Sequence, residues 1–211
     1  MPGATAPRGN PTPAFRRYHL VVASLIESLA ARMTPGEVRP APDARRRAAV
    51  AVVLHDEQYP RVLLMKRVER AGDPWSGHIS LPGGGYQAGD PDLLAAAIRE
   101  THEELGIQLA HTELLGSLAP LAPRTSGPAL VEVTPFVFQV AAEPVAVCGP
   151  EALSAFWLPL ELAISGALDG TYVYPGSSMT FPSWNYEGHV IWGLTRRILD
   201  DLIGCSRLTS E

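Results

Sequence analysis

Lysine is almost absent from this chain: Lys66 is the only one, and arginine supplies the remaining positive charge. A genome's base composition is sufficient to explain that bias, which carries no functional weight. Cysteine is nearly as scarce. Cys148 sits in a Val-Cys-Gly-Pro loop and Cys205 near the C-terminus, which makes neither a zinc-ligand spacing nor a disulfide framework. Two reduced thiols in a cytoplasmic protein are the expectation. An excess of positive charge is missing too, since the net charge is −5 and the pI about 5.7. That balance excludes a nucleic-acid duplex as partner, which would call for a clustered basic surface.

Long hydrophobic runs are also lacking. No segment reaches the ~18 apolar residues that mark a membrane span. The stretch from Phe15 to Ala30 superficially suggests a charged region followed by a signal-peptide core. However, Tyr18, Val21, Val22, Leu25, Ile26 and Leu29 follow the spacing of an amphipathic helix, and Glu27 interrupts the apolar run. The expectation is a surface helix, no membrane partner and a cytoplasmic location.

What the chain does have is the run Arg99-Glu100-Thr101-His102-Glu103-Glu104-Leu105-Gly106-Ile107, a short way after Gly83-Gly84-Gly85. At about 100° per residue, Glu104 lies near +40° and Glu103 near −60° from Glu100, so three carboxylates share roughly one 100° arc. Leu94, Ile98, Thr101 and Leu105 form an apolar stripe elsewhere on the wheel, which turns the acidic arc toward a cleft or solvent. Glu100 and Glu104 are like charges four residues apart, a spacing that destabilises a helix by a few tenths of a kcal/mol, about what an opposite pair contributes. Arg99 can hold Glu103, but one guanidinium does not neutralise three carboxylates. A hard divalent cation does, and oxygen ligands suit Mg²⁺ or Mn²⁺.

Alternating and apolar runs predict strands over Ala48–Leu54 and Arg61–Lys66, joined as a hairpin through His55–Pro60. Further strands are expected at Ile79-Ser80-Leu81, Leu114–Leu118, Val131–Val140 and Phe156–Leu160, and a final helix over Trp192–Ile203. For the acidic helix, Asp90 is the expected N-cap with Pro91 in the first turn, and Gly106 the terminator. Strands interrupted by two or three helices suggest an α/β/α sandwich around a mixed β-sheet, with an N-terminal helical extension. The chain divides into a disordered tail over 1–13, a helix and linker over 14–46, one enzyme domain over 47–203 and a C-terminal tail over 204–211.

Gly84, Asp90 and the run Arg99 to Ile107 resemble the signature box of the Nudix hydrolases. Three departures stand out: Asp90 replaces a Glu, eight residues rather than seven precede Arg99, and Thr101 replaces an aliphatic residue. The longer spacing is similar to that of the coenzyme A pyrophosphatase branch, as are Leu63-Leu64-Met65-Lys66-Arg67, Leu81-Pro82-Gly83-Gly84 and the segment from Ser126-Gly127 to Phe136. That branch usually carries Leu-Arg-any-His-any-Gly-Gln where this chain has Gly72 to His78.

The resemblance implies a metal-dependent pyrophosphohydrolase acting on CoA or an acyl-CoA, or else on nucleoside triphosphates, dinucleoside polyphosphates, ADP-ribose or nucleotide sugars. A nucleotide sensor with the same fold is the non-hydrolase alternative. An isomerase of the isopentenyl diphosphate type would need a catalytic Cys, and neither cysteine has such a setting. The resemblance assigns metal ligation to Glu100, Glu103, Glu104 and the backbone of Gly84. It offers Glu100 and Glu103 as candidates for the base and gives Arg99 the task of locking the carboxylates. Arg67 and Arg124 are candidate phosphate clamps, because a fixed guanidinium suits phosphate oxygens. Glu151 and Glu187 are alternative sources of a further carboxylate, and relatives are often homodimers.

Overall fold

The computed structural model describes Leu29, Met33 and residues 46–55, 60–72, 75–123 and 131–207. The 1–13 tail, the amphipathic helix apart from Leu29, the turn over 56–59 and Arg124 lie outside the described residues.

Strand β1 (Arg46–His55) is the axis of the molecule. Along its whole length it pairs in parallel with β6 (Val131–Val140). Two antiparallel partners share its other edge: β2 (Arg61–Arg67) at the C-terminal end, and β4 (Gly83–Gly85) at the N-terminal end. β2 also pairs with β3 (Ile79–Ser80) and with β7 (Ala152–Pro159), while β5 (Leu114–Ser117) completes the sheet beside β6. The mixed sheet expected from sequence is therefore present, with β7 four residues longer at its start than the Phe156 expected.

Because side chains alternate along a strand, β1 feeds two cores. Ala49, Ala51 and Val53 meet helix α1 (Leu93–Leu105), and Val52 and Leu54 meet the opposite layer. Against the first face α1 buries Leu93, Leu94, Ala96, Ala97 and Leu105. Thr101 is buried there as well, and its hydroxyl donates to the Ala97 carbonyl at 2.7 Å, so the departure from an aliphatic residue leaves no unpaired group. The opposite layer contains the short α2 (Leu160–Ile164) and α3 (Gly193–Arg207), with Leu29 and Met33 also buried in its core. α3 runs on past the expected end at Ile203 through Arg207.

A second sheet was not anticipated by the sequence. β8 (Asp169–Val173), β9 (Thr180–Tyr186) and β10 (His189–Trp192) form an antiparallel meander on the α3 side. Glu187 and Gly188 both have positive φ, 48° and 80°, and link β9 to β10 as a two-residue hairpin turn. Among the described residues no helix is long and apolar enough to cross a membrane.

Candidate functional site

The acidic helix begins two residues later than its sequence suggests. Asp92, not Asp90, is the N-cap, and its carboxylate accepts the Ala95 N–H at 2.8 Å. Asp90 instead receives Arg99 in a two-point bond, Nε to Oδ1 at 2.9 Å and Nη2 to Oδ2 at 3.0 Å, while Oδ2 also accepts the Gln87 N–H. The Arg99 bond holds the Asp90 carboxyl below its ordinary range, and the same bond pushes the guanidinium up. At the other end Gly106 adopts the left-handed conformation, φ 66°, and its N–H closes onto the His102 carbonyl, as a helix terminator should.

Arg99 then gathers the site around itself. Its Nη1 donates to Glu100 Oε1 at 2.8 Å and to Glu103 Oε2 at 3.1 Å, and its Nη2 reaches the Gly85 carbonyl at 3.1 Å. One guanidinium thus ties the helix to both the loop at Asp90 and strand β4. Bidentate and fixed geometry of this kind is what arginine provides and lysine does not.

The three helix carboxylates sit at different depths. The Glu103 side chain is 55% exposed and that of Glu100 15%. Glu104 is 2% exposed, which corrects the expectation that the whole acidic arc faces a cleft or solvent. It lies beneath β4 and accepts the Gly83 N–H on Oε2 at 2.8 Å. Burial pushes its carboxyl up to about 8, against the opposing effects of the Gly83 bond and the Arg67 charge. Burial also raises Glu100, with Arg99 acting in the opposite direction.

Glycine at 84 is required by this arrangement. A Cβ there would stand 2.5 Å from the Glu100 carboxyl carbon and 2.7 Å from each of its oxygens. The backbone of β4 and a helix carboxylate therefore share a cradle that any side chain would fill. As oriented here, no three His, Cys, Asp or Glu groups among the described residues converge on one point. Glu100 and Glu103 each give one oxygen to Arg99, and Glu104 gives one to Gly83. That leaves a second oxygen on each for a hard cation beside the Gly84 backbone. The donor set and the cradle fit such an ion.

Of the two outlying carboxylates, Glu151 comes to the site and Glu187 does not. Val147 N–H donates to the Leu105 carbonyl at 2.8 Å and Gly149 N–H to the Glu104 carbonyl at 2.7 Å, so this strap caps the end of α1. It delivers Glu151, whose charge raises both Glu100 and Glu104. Arg70 holds it there, Nη1 to Oε1 at 3.1 Å. Nothing in the spacing of Glu151 signals this, because the strap is set by helix-end carbonyls and by the close approach of Gly149 to the Glu103 carbonyl.

Beside β4 opens a cavity of about 550 Å³, a size suited to a nucleotide-sized ligand. Gly83 to Gly85 form one wall, and Arg67 lines it close enough to influence Glu104. Trp75 and His78, from the stretch that departs from the coenzyme A branch, line it too. Trp192 forms another part, with Tyr172 stacked on it at 4.1 Å and His78 against its edge at 5.1 Å. Trp184 faces the core instead, with Arg196 over its ring at 4.1 Å.

A family model described as the NUDIX domain matches residues 45–175. A protein of Enterobacter sp. (strain 638), described as an uncharacterized Nudix hydrolase NudL, is 30% identical over 165 residues, covering 75% of this chain and 81% of the relative. Its namesake in Salmonella newport (strain SL254) is 32% identical over 162 residues with the same coverage of each. Among solved structures, a MutT/nudix family protein from Enterococcus faecalis superposes with a TM-score of 0.53 at 15% identity, over 92% of this chain and 74% of that one. The MutT protein from Methanosarcina mazei Go1 gives 0.51 at 16% identity, over 82% and 100%. These two structures share the fold.

Proposed function

Because the chain belongs to the Nudix hydrolase family, we propose that it opens the diphosphate linkage of a nucleotide conjugate, with CoA or an acyl-CoA derivative the first choice. Hydrolysis of pyrophosphate bonds follows from the family, which is generally dependent on divalent metal. The choice of substrate, of Mg²⁺ or Mn²⁺, and of residue roles is our reading. The observation that carries it is the Glu100 carboxylate lodged in the side-chain-free space of Gly84, with Arg99 fixing it from the other side.

Glu100, Glu103, Glu104 and the Gly84 carbonyl would hold the metal. When bound, it neutralises phosphate charge and lowers the pKa of a coordinated water. The chain's own residues supply the rest. Arg99, tied to Asp90, keeps Glu100 and Glu103 in place, so that one of them takes the proton of the attacking water as its oxygen bonds to phosphorus. The bridging P–O bond breaks, and two phosphoryl products leave. Arg67 draws a phosphate oxygen toward the carboxylates from the cavity wall. Glu151 adds a further carboxylate from outside the helix.

The resemblance of Leu63–Arg67, of Leu81–Gly84 and of the longer spacing before Arg99 supports CoA. A second reading is a nucleoside triphosphate, dinucleoside polyphosphate, ADP-ribose or nucleotide sugar. It is favoured by the stretch Gly72–His78, which departs from the coenzyme A branch at residues that line the cavity. Mass-spectrometric product analysis over this panel, with Mg²⁺ or Mn²⁺ and a Glu103→Gln control, separates the two. CoA cleaved to 3′,5′-ADP and phosphopantetheine, with a rate loss of about 10²–10⁴-fold in the control, is the expected result. Cleavage of another panel member alone would discard CoA and keep the hydrolase, and no turnover of any would discard both.

A further inference from the structure

The chain is acidic as a whole, yet the charged groups lining the cavity are Arg46, Arg47, Arg67, Arg196 and Arg197 against the single carboxylate of Asp200. Three of these arginines have identified charges to answer. Arg47 pairs with Glu132, Arg196 holds Asp200 with Nε at 2.9 Å from Oδ1, and Arg67 acts on Glu104. Arg46 and Arg197 have no carboxylate partner among the described residues.

Topology brings those two to one rim. Arg46 stands opposite Val131 in the β1–β6 ladder. Arg197 Nη1 donates to the Ala122 carbonyl at 2.9 Å, and Leu121, next to Ala122, bridges to Val133. The Arg197 guanidinium is thus fixed beside the first residues of β6, and Arg46 lines the cavity from the strand position next to them. The backbone distance of Arg46 from the Gly84 cradle follows from the β1–β4 register. Gly84 pairs with Ala49, and three residues back along the strand to Arg46 is ~10 Å. A diphosphate at Gly84 would not itself occupy this rim. A phosphate on the far side of the ribose attached to it would.

We propose that Arg46 and Arg197 form a second anion subsite, which takes a phosphate monoester carried on the ribose of the substrate, separate from the diphosphate that is cleaved. This rests on the reading of the site as a nucleotide pyrophosphohydrolase, and it makes the preferred substrate a nucleoside diphosphate conjugate that bears an additional ribose phosphate. Two guanidiniums converging on one phosphate provide charge-assisted bonds that a plain ribose hydroxyl cannot replace.

The test is calorimetric binding of 3′,5′-ADP, 2′,5′-ADP and 5′-AMP to the full-length protein in EDTA, beside a doubly substituted Arg46→Gln/Arg197→Gln variant shown by its melting curve to be folded. A bisphosphate binds the native chain about tenfold more tightly than 5′-AMP, the increment expected of a charge-assisted contact. The gap closes in the double variant while 5′-AMP affinity stays unchanged, and whichever bisphosphate shows the gap identifies the ribose position. Equal binding of all three nucleotides overturns the subsite, as does a gap that survives the double substitution. Hydrolysis of CoA and dephospho-CoA with one kcat/KM also overturns it, and leaves the hydrolase reading standing. A binding gap without turnover of any conjugate does the reverse.

Discussion

The acidic face of α1 and the arginine-lined cavity meet at Gly83–Gly85, and they are held in opposite ways. In the acidic region every helix carboxyl and Asp90 has a short-range partner: Asp90 two bonds from Arg99, Glu100 and Glu103 the same guanidinium, and Glu104 a backbone N–H. In the cavity two guanidiniums remain without an acidic partner among the described residues. A region whose charges are mutually fixed is preorganised for chemistry. A region whose charges are left over is prepared for a ligand that brings the opposite sign.

The adjacent glycines between the two regions give the largest test of that difference. Gly84→Ala inserts a methyl against the Glu100 carboxylate, the far end of a side chain able to swing aside. Gly83→Ala instead meets the Ala49 carbonyl and places its Cβ 2.5 Å from the Val50 Cα, at φ 146°. The first variant should fold normally and lose kcat by about 10²-fold, since misplacing a reacting group by about 1 Å has that effect. The second should lose about 2–4 kcal/mol of stability, because backbone does not yield and alanine is strained there. Thermal melts and rates on both proteins check this. A Gly84→Ala enzyme with native kcat would remove Glu100 from the chemistry.

Much of the acidic region was legible in sequence because it is local: nine consecutive residues fix the helix, its terminator and the order of its carboxylates. What the wheel does not give is depth. It places Glu104 near Glu100 in angle, but only the packing of β4 over the helix makes one of them 2% exposed. Asp90 was misread because Asp90-Pro91 and Asp92 both satisfy the rules for a helix start, and the choice is made by Arg99 nine residues on. The cavity was not legible as a unit, being assembled from the first half of β1, the loop before β3, the start of β6 and the start of α3. The strands β8–β10 escaped for a related reason. They are short and solvent-facing on alternate residues, and their turn uses Glu187-Gly188 in place of the usual Asn-Gly.

A smaller effect probes the link that locks the acidic region. Asp90→Asn keeps the shape and removes the charge from the bonds to Arg99, leaving Glu100 and Glu103 to share a guanidinium that is no longer anchored. The expected loss is about tenfold in kcat with little change in KM, at the low end of what outer-shell partners of a metal site contribute. Asp90→Glu, the residue the family pattern carries, should recover most of it. Equal changes in kcat and KM would instead mark Asp90 as part of substrate binding.

The last effect concerns Glu104, leaves the rate aside and appears as a pH-dependent stability. Burial raises its carboxyl from an ordinary 4.5 to about 8, so without a cation the fold favours the protonated form. That contribution is full below pH 4.5, declines as the pH rises, and is gone once the pH has passed through about 8. In EDTA the native protein should therefore lose on the order of 10 °C in Tm between pH 5 and pH 8.5 relative to Glu104→Gln, each pH unit of linkage being about 1.4 kcal/mol and each kcal/mol about 2–4 °C in a chain of this size. Adding Mg²⁺ or Mn²⁺ should flatten or reverse the slope, because a cation favours the ionised carboxylate and gains affinity as the proton leaves. Parallel slopes for the native and Glu104→Gln proteins in EDTA would mean that Glu104 is ionised without metal. The acidic region would then be as complete before the cation arrives as after it.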